Sequence, residues 1–364
     1  MPRPIQTLVS ADALRHNFDV ARSHGGASRL WAVVKAHGYG HGLLGVAGAL
    51  ADHADGFALL ELEEAAALRQ AGLTQPILLL EGVFAPSELQ DVAALGLTPA
   101  IGSLRQLEWL EAASMPGPLP VYLKVNTGMN RLGFRPAQVP EVLARLLRLR
   151  QISAVTLMTH FAEADGTRGI AGQIAVFAPL AAATQLPVST ANSATLLRFP
   201  EALGGKTGWA RPGIMLYGSS PFPDLKSARE LDLLPVMTLS SEIIGVQDLR
   251  PGERVGYGGL FEANRPMRIG IVACGYGDGY PRHAPTGTPI SVAGRRTRTL
   301  GRVSMDMLVA DLTDIPAAGV GAPVVLWGGA GDSFIAADEV AASAGTVAYE
   351  LFCALAARVP VSVS

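Results

Sequence analysis

Short apolar segments alternate with helical segments through the first 230 residues, and this alternation constrains the fold more than any other feature of the sequence. Helical spacing of apolar residues occurs at positions 43–51, 62–71, 86–94, 104–112 and 139–149. Nearly continuous apolar strands that are separated by helices indicate a parallel sheet covered by helices. The strand candidates lie at 31–34, 57–60, 77–80, 98–101, 121–125, 155–158 and 188–190.

About eight such strand–helix units in roughly 230 residues match the length and the number of units of a (β/α)8 barrel. An open, doubly wound sheet is the alternative architecture for the same alternation. The sequence therefore predicts an α/β fold whose N-terminal TIM-like barrel occupies residues 11–230.

The pattern changes after about residue 231, where short strands are joined by turns that contain Gly and Pro. This pattern is typical of a separate, mostly antiparallel β domain, which we expect to span residues 231–364. Pro221 and Pro223 interrupt regular structure between the two parts of the chain. The predicted strands are 238–246, 268–273, 289–292, 297–303, 307–312 and 322–326, and the predicted helices are 336–344 and 349–356.

The charge balance and the cysteine count exclude several classes of protein. The chain has 29 Lys+Arg and 31 Asp+Glu, so it has no basic footprint for nucleic acid or an anionic membrane. No apolar run approaches the ~18 residues of a membrane span, and no signal-peptide core is visible at the N-terminus. Cys274 and Cys353 allow one disulfide at most, which favours a reducing compartment. We therefore expect a globular, cytoplasmic protein.

Two glycine-containing stretches and one histidine pair resemble known ligand motifs but fit them poorly. Residues 40–45 satisfy the dinucleotide fingerprint G-x-G-x-x-G, yet residues 35–39 separate them from the preceding strand. A nicotinamide-dependent dehydrogenase therefore stays only as an alternative function. Residues 205–207 resemble a P-loop whose earlier glycine position holds Pro200. The pair His37 and His41 lacks the glutamate of a zinc-binding H-E-x-x-H motif, so we expect no metal site.

Polar side chains follow several predicted strands, at the end of a barrel where catalytic groups are displayed. Lys35 follows the first strand, where low-dielectric walls would lower the pKa of its amine and favour Schiff-base chemistry. Lys124, His160 and Ser193 lie at the same end of later strands, and Gly213 begins a segment whose free N–H groups suit a phosphate. Each residue alone also fits an ordinary solvated or core position. Their shared placement is what predicts a site.

The run VVKAHGYGHG at residues 33–42 resembles the pyridoxal phosphate signature of the alanine racemase family. Residues 235–258 and 354–363 look most like the catabolic isozyme of proteobacteria. The chain departs from the family at His37 and Gly38, where Asn-Ala is frequent, and at Asn126, where many members carry Asp. Further matches in the same order span essentially the whole chain, at residues 124–134, 159–165, 192–194, 211–218, 254–258, 275–282, 301–307 and 349–360.

The resemblance implies a fold-type III enzyme that uses pyridoxal 5′-phosphate to interconvert L-alanine and D-alanine, either supplying D-alanine for peptidoglycan or degrading it. It also implies a homodimer with shared active sites, in which the β domain, including an N-terminal strand within residues 1–10, completes the site of the partner chain. Lys35 is implied to bind the cofactor covalently and to act as one base, and Tyr257 of the other chain is implied to act as the second base.

The remaining site residues are also implied by the resemblance rather than by spacing. Arg131 and Met305 would bind the substrate, with Lys124, Asp306 and Tyr276 in supporting positions. The other residues at the cofactor would be Tyr39, His160, Ser193, Arg211, Gly213, Ile214 and Tyr349.

Two alternative functions keep the same cofactor. A pyridoxal phosphate carrier would resemble the barrel alone, and the matches at 255–258 and 304–306 in the second domain speak against it. A decarboxylase of basic amino acids would carry a C-terminal motif with cysteine and aspartate, which the chain lacks.

Overall fold

The computed structural model describes residues 3–364; residues 1 and 2, the start of the segment 1–10 assigned above to the second domain, lie outside the described residues. The described chain begins with β1 (Gln6–Val9) and α1 (Ala11–Gly25). The side chain of Ser10 accepts a hydrogen bond from the N–H of Ala13. This bond satisfies one of the backbone donors that are left free at the start of α1.

Eight parallel strands then form a closed barrel in chain order, and the last strand pairs with the first. Inside the barrel, the rings of Trp31 and Trp209 stack at 4.1 Å, and Nε1 of Trp31 donates to the hydroxyl of Tyr122 at 3.0 Å. The closure confirms the predicted barrel and excludes the open, doubly wound sheet. The barrel strands are β2 (Arg29–Val33), β3 (Gly56–Leu59), β4 (Ile77–Leu79), β5 (Leu97–Ile101), β6 (Leu119–Lys124), β7 (Ile152–Met158), β8 (Val188–Asn192) and β9 (Trp209–Arg211).

Helices alternate with these strands along the chain. The longest helix of residues 3–364 is α1 with 15 residues, and none of the described helices has the length and apolar character needed to cross a membrane. The others in this part of the chain are α2 (Lys35–Tyr39), α3 (Leu43–Ala49), α4 (Leu62–Gln70), α5 (Glu88–Ala94), α6 (Leu104–Ala112), α7 (Val139–Arg148), α8 (Ala171–Thr184) and α9 (Ser193–Arg198).

The rest of the chain builds a second, mostly antiparallel sheet around the long strand β10 (Met237–Leu249). β10 pairs antiparallel with β1 over Met237–Ser240, so the N-terminal strand belongs to this sheet. The other strands of this sheet are β13 (Met267–Val272), β14 (Pro289–Val292), β15 (Arg295–Arg298), β16 (Leu308–Asp311), β17 (Pro323–Trp327) and β18 (Val361–Val363). β11 (Arg254–Val255) and β12 (Phe261–Glu262) pair with each other in a separate two-stranded sheet, and the helices of this part of the chain are α10 (Ala337–Ser343) and α11 (Ala348–Cys353).

One predicted strand of this sheet is wrong in its bounds. The sequence predicts a strand over 297–303, but β15 ends at Arg298. Beyond it, Thr299 makes a single bridge to Ala310, and Gly301 has a φ of 71°, which a strand does not accommodate. The apolar residues of 300–303 are buried in a loop instead of a ladder.

Candidate active site

A cavity of about 260 Å³ lies at the C-terminal ends of the barrel strands. It is lined by side chains from most of the strand ends, together with one residue, Tyr349, that α11 of the β domain contributes. The predicted site residues that meet in this cavity are Lys35, Tyr39, Lys124, Arg131, His160, Ser193, Arg211, Gly213, Ile214 and Tyr349.

Four predicted site residues lie outside the cavity of their own chain. All four belong to the β domain, and their side chains point to the surface: Tyr257 is 70% exposed and Met305 is 53% exposed. Tyr276 and Asp306 lie in the same part of the domain. A single chain therefore brings together the predicted cofactor residues but not the predicted second base.

Lys35 begins a left-handed turn at the end of β2. Residues 36–40 all have positive φ, between 51° and 75°. Each such residue that carries a Cβ costs roughly 1–2 kcal/mol, a cost that Gly38 and Gly40 avoid. The backbone N–H of His37 donates to Oε1 of Glu64 at 2.7 Å, which fixes the turn. The turn places Lys35 and Tyr39 in the same cavity.

Cationic side chains dominate the cavity. Burial, together with the neighbouring Arg131, lowers the pKa of Lys35. Burial, together with Arg211 and Arg131, lowers the pKa of Lys124 to about 8. The carboxylate of Glu81 opposes both shifts. A lowered pKa favours the neutral amine, which is the form of a lysine side chain that attacks a carbonyl carbon.

Glu81 lines the cavity but is not among the residues singled out in the sequence. It comes shortly after β4, so the strand-end rule that selected Lys35 also applies to it. Its position is fixed because Nε2 of Gln106 donates to the carbonyl oxygens of Glu81 and Val83 at 2.7 and 3.1 Å.

Arg211 is buried at the end of β9 and has defined partners. Its guanidinium donates to Oγ of Ser189 at 2.6 Å and to the carbonyl oxygen of Thr159 at 2.7 Å. Burial lowers its pKa to about 10, so it stays protonated at neutral pH. Burial, with Arg211 and Arg131 nearby, lowers the pKa of His160 to about 3, so this ring is neutral.

Hydroxyl and N–H groups converge at one side of the cavity. Oγ of Ser193 accepts hydrogen bonds from the N–H groups of Gly213 and Met215 at 2.8 and 3.4 Å. A Cβ on Gly213 would lie 2.7 Å from the hydroxyl oxygen of Tyr39, so this position has no room for a side chain. The ring of Tyr39 lies 5.8 Å from that of Tyr349. Such a set of neutral donors suits a phosphate group.

Arg131 lies on a loop whose shape is fixed by hydrogen bonds to the side chain of Asn126. Oδ1 of Asn126 accepts from the N–H groups of Gly128 and Asn130, both at 3.1 Å. The N–H of Gly133 donates to the carbonyl oxygen of Gly102 at 3.2 Å, which ties the loop to the end of β5. The loop therefore holds Arg131 at the rim of the cavity.

Similarity to known proteins extends along nearly the whole chain. The family model of the alanine racemase N-terminal domain matches residues 9–221, and that of the alanine racemase C-terminal domain matches residues 236–363. The alanine racemase of Thiobacillus denitrificans is 57% identical over 99% of this chain and 95% of that protein. The catabolic alanine racemase of Klebsiella aerogenes is 52% identical over 99% of both chains. The crystal structure of the biosynthetic alanine racemase of Pseudomonas aeruginosa has a TM-score of 0.94 and 46% identity, covering 100% of this chain and 99% of that one.

Proposed function

This chain belongs to the alanine racemase family and is an enzyme that racemises alanine, and we propose that it does so with pyridoxal 5′-phosphate held in the cavity around Lys35. The observation that carries the proposal is the cavity itself. It joins a lysine amine of lowered pKa, a set of neutral donors suited to a phosphate and the protonated side chain of Arg211.

The residues present fit this cofactor. The hydroxyl groups of Tyr39 and Ser193, which lie beside Gly213, would hold the phosphate. The amine of Lys35 would bind the aldehyde carbon covalently, and the aldehyde oxygen would leave as water. When bound, the conjugated ring of the cofactor takes up the negative charge that the α-carbon of alanine gains on losing its proton. Arg211 would face the ring nitrogen, and because it keeps its own proton it leaves that nitrogen unprotonated.

Racemisation requires that a proton leave one face of the α-carbon and return to the other, which calls for two bases on opposite sides. Lys35 would take the proton of D-alanine, and Tyr257 of a second chain would take that of L-alanine. The exposure of Tyr257 outside its own cavity supports this division between chains.

Exposed apolar residues support a homodimer in which each β domain faces the cavity of the other chain. Leu260 is exposed beside Tyr257 on the β domain. Phe84 and Leu132 are exposed on the loops that follow β4 and β6, at the mouth of the barrel. Pairing these surfaces would bury apolar area that a lone chain leaves in water.

Hybrid dimers test the shared site. Chains with Lys35→Ala and chains with Tyr257→Phe are co-expressed with different tags, and the mixed dimer is isolated. Each parent dimer should lack racemase activity, whereas the hybrid contains one cavity with both bases and should regain activity at one of its two sites. An inactive hybrid of folded, dimeric chains that bind the cofactor would refute the shared site.

We also propose a cytoplasmic location and a role in supplying D-alanine to peptidoglycan or in degrading it. Two free thiols, Cys274 and Cys353, support a reducing compartment. A catabolic and a biosynthetic relative are both close to the chain, so identity alone favours neither role. Growth of a deletion strain with and without D-alanine distinguishes the two, because only loss of a supplying enzyme creates a requirement for D-alanine.

A further inference from the structure

Asp278 is a buried carboxylate of the β domain that binds both ends of the chain. Its side chain is 0% exposed. It accepts hydrogen bonds from Nη2 of Arg3 at 2.9 Å, from Nε of Arg358 at 2.8 Å and from the N–H of Gly275 at 2.9 Å. We refer to Arg3, Asp278 and Arg358 together as the clasp.

The clasp also joins two neighbouring loop segments. Nη2 of Arg358 donates to Oδ1 of Asp306 at 2.7 Å, and Arg3 donates to the backbone carbonyl of Asp306. Backbone hydrogen bonds of 2.8 and 3.0 Å connect residues 276–277 to residues 304–305. The segment of Tyr276 and the segment of Met305 are thus held as one unit.

The two segments are in close contact. A Cβ on Gly275 would overlap the carbonyl oxygens of Ser304 and Met305, so the segments meet without an intervening side chain. The side chains of Tyr276 and Met305 are exposed. Since their outward-facing side chains have little support within their own chain, their positions depend on the backbone that the clasp holds.

The charges of the clasp and of Asp306 balance. Burial would raise the pKa of Asp278, but the hydrogen bonds from Arg3, Gly275 and Arg358 outweigh it and keep the pKa below its ordinary value. The carboxylate is therefore ionised at neutral pH. Removing it would leave Arg3 and Arg358 as like charges without their shared partner.

We propose that Asp278 is a positioning residue for the active site of the partner chain, where it fixes Tyr276 and Met305 at the mouth of the cavity through the clasp. The inference rests on the proposed function, because it requires the β domain to face the partner's cavity. The side chain of Asp278 is buried and bonded to Arg3, Arg358 and Gly275, so it would act only through these two residues. It should therefore govern how tightly alanine is bound, and leave the two bases intact.

Steady-state kinetics of Asp278→Asn test this role. We expect KM for alanine to rise roughly tenfold while kcat changes little, because losing binding that is equal in the ground state and the transition state raises KM alone. Arg3→Gln removes one of the two arginine partners of Asp278. Because the side chain of Arg3 is partly exposed, KM should rise by less than in Asp278→Asn. This milder variant decides the question if Asp278→Asn does not fold. An unchanged KM in the folded variants, or a loss confined to kcat, would overturn the inference.

Asp311→Asn is the matched control. Asp311 is also a mostly buried carboxylate of the β domain, bound by Arg298 at 3.2 Å and by the N–H of Thr313 at 3.1 Å. It touches neither of the two loop segments, so KM and kcat should stay as in the parent enzyme. An equal rise of KM in this control would show a general effect of buried charge and would overturn the inference.

A hybrid of Asp278→Asn and Lys35→Ala chains separates an effect on the partner from an effect within the chain. The cavity that retains Lys35 then faces an intact β domain, so KM should return to the parent value. A KM that stays raised would show that Asp278 acts within its own chain and would overturn the inference. The hybrid of Lys35→Ala and Tyr257→Phe reports separately on the proposed function, because it loses activity only if the site is not shared.

Discussion

Gly213 and Tyr39 approach each other so closely that a Cβ on Gly213 would lie 2.7 Å from the tyrosine hydroxyl. Neither residue can move easily. The N–H of Gly213 is bound to Ser193 at 2.8 Å, and Tyr39 is buried with its ring 4.6 Å from that of Tyr217. This close packing therefore fixes the positions of the groups proposed to hold the phosphate.

Gly213→Ala should weaken binding of pyridoxal phosphate. The added methyl group must displace Tyr39, and overpacking of this kind costs about 1–3 kcal/mol, which raises Kd about fivefold or more. Titration of the cofactor-free protein with pyridoxal phosphate, followed by absorbance, measures Kd. Gly172→Ala is the control, because this glycine of α8 has open space around it. Equal Kd values for the two variants would contradict the proposed phosphate site.

Gly38→Ala should destabilise the fold. Gly38 has a φ of 64°, and a Cβ there would lie 3.1 Å from Cγ2 of Val46. A left-handed residue with a Cβ costs about 1–2 kcal/mol, so the free energy of unfolding should fall by about that amount. Urea unfolding measures the change. Gly48→Ala in α3 faces open space and should be neutral or stabilising, because alanine favours a helix. If both variants were equally stable, the left-handed turn would not be strained.

Lys124→Met should stabilise the protein in a way that depends on pH. The pKa of Lys124 is about 8 in the folded chain against 10.5 for the free side chain, so its charge opposes folding below pH 8. The substitution should raise the free energy of unfolding at pH 7 by on the order of 1–3 kcal/mol. This gain should shrink as pH rises from 8 to 10.5, since the lysine then loses its charge in both states.

Urea unfolding of the parent protein and Lys124→Met at pH 7 and pH 10 measures this difference. Lys206→Met replaces an exposed lysine and is the matched control, for which no pH-dependent gain is expected. A gain from Lys124→Met that is equal at both pH values would show that packing, and not the buried charge, explains it.

Asn126→Ala should weaken alanine binding. The substitution removes the acceptor that holds the N–H groups of Gly128 and Asn130, and the loop that carries Arg131 then loosens. A loss of about 1–2 kcal/mol corresponds to a KM increase of roughly five- to thirtyfold. Asn126→Asp keeps this acceptor and should leave KM within a factor of about two. A KM unchanged in both variants would mean that Arg131 does not depend on this loop.

The barrel could be predicted because its strands are buried and nearly continuous, as in β4, which occupies 77–79 where 77–80 was predicted. Other elements lack a periodic pattern. α8 contains no charged residue and buries only Phe177, so it has no amphipathic face to detect. β18 exposes all three of its residues, so its sequence shows no alternation.

The candidate site could be predicted in part from one rule, that polar groups at the ends of barrel strands converge. Lys35 and Ser193 follow this rule and line the cavity, as does Glu81, which was not predicted although it follows β4. Tyr257 follows no such rule, and only the family resemblance suggests its role. Asp278 could not be predicted because its partners come from opposite ends of the chain, where no local pattern connects them.

Conversion of alanine by the purified protein, with Lys35→Ala alongside, tests most directly whether the cavity around Lys35 racemises alanine. The protein is supplied with pyridoxal phosphate and with either L-alanine or D-alanine, and both enantiomers are followed by chiral chromatography. We expect the parent protein to reach an equal mixture from either side, and Lys35→Ala to produce none of the opposite enantiomer. Racemisation by Lys35→Ala at the parent rate, or a cofactor-bound parent protein that leaves each enantiomer unchanged, would contradict the proposed site.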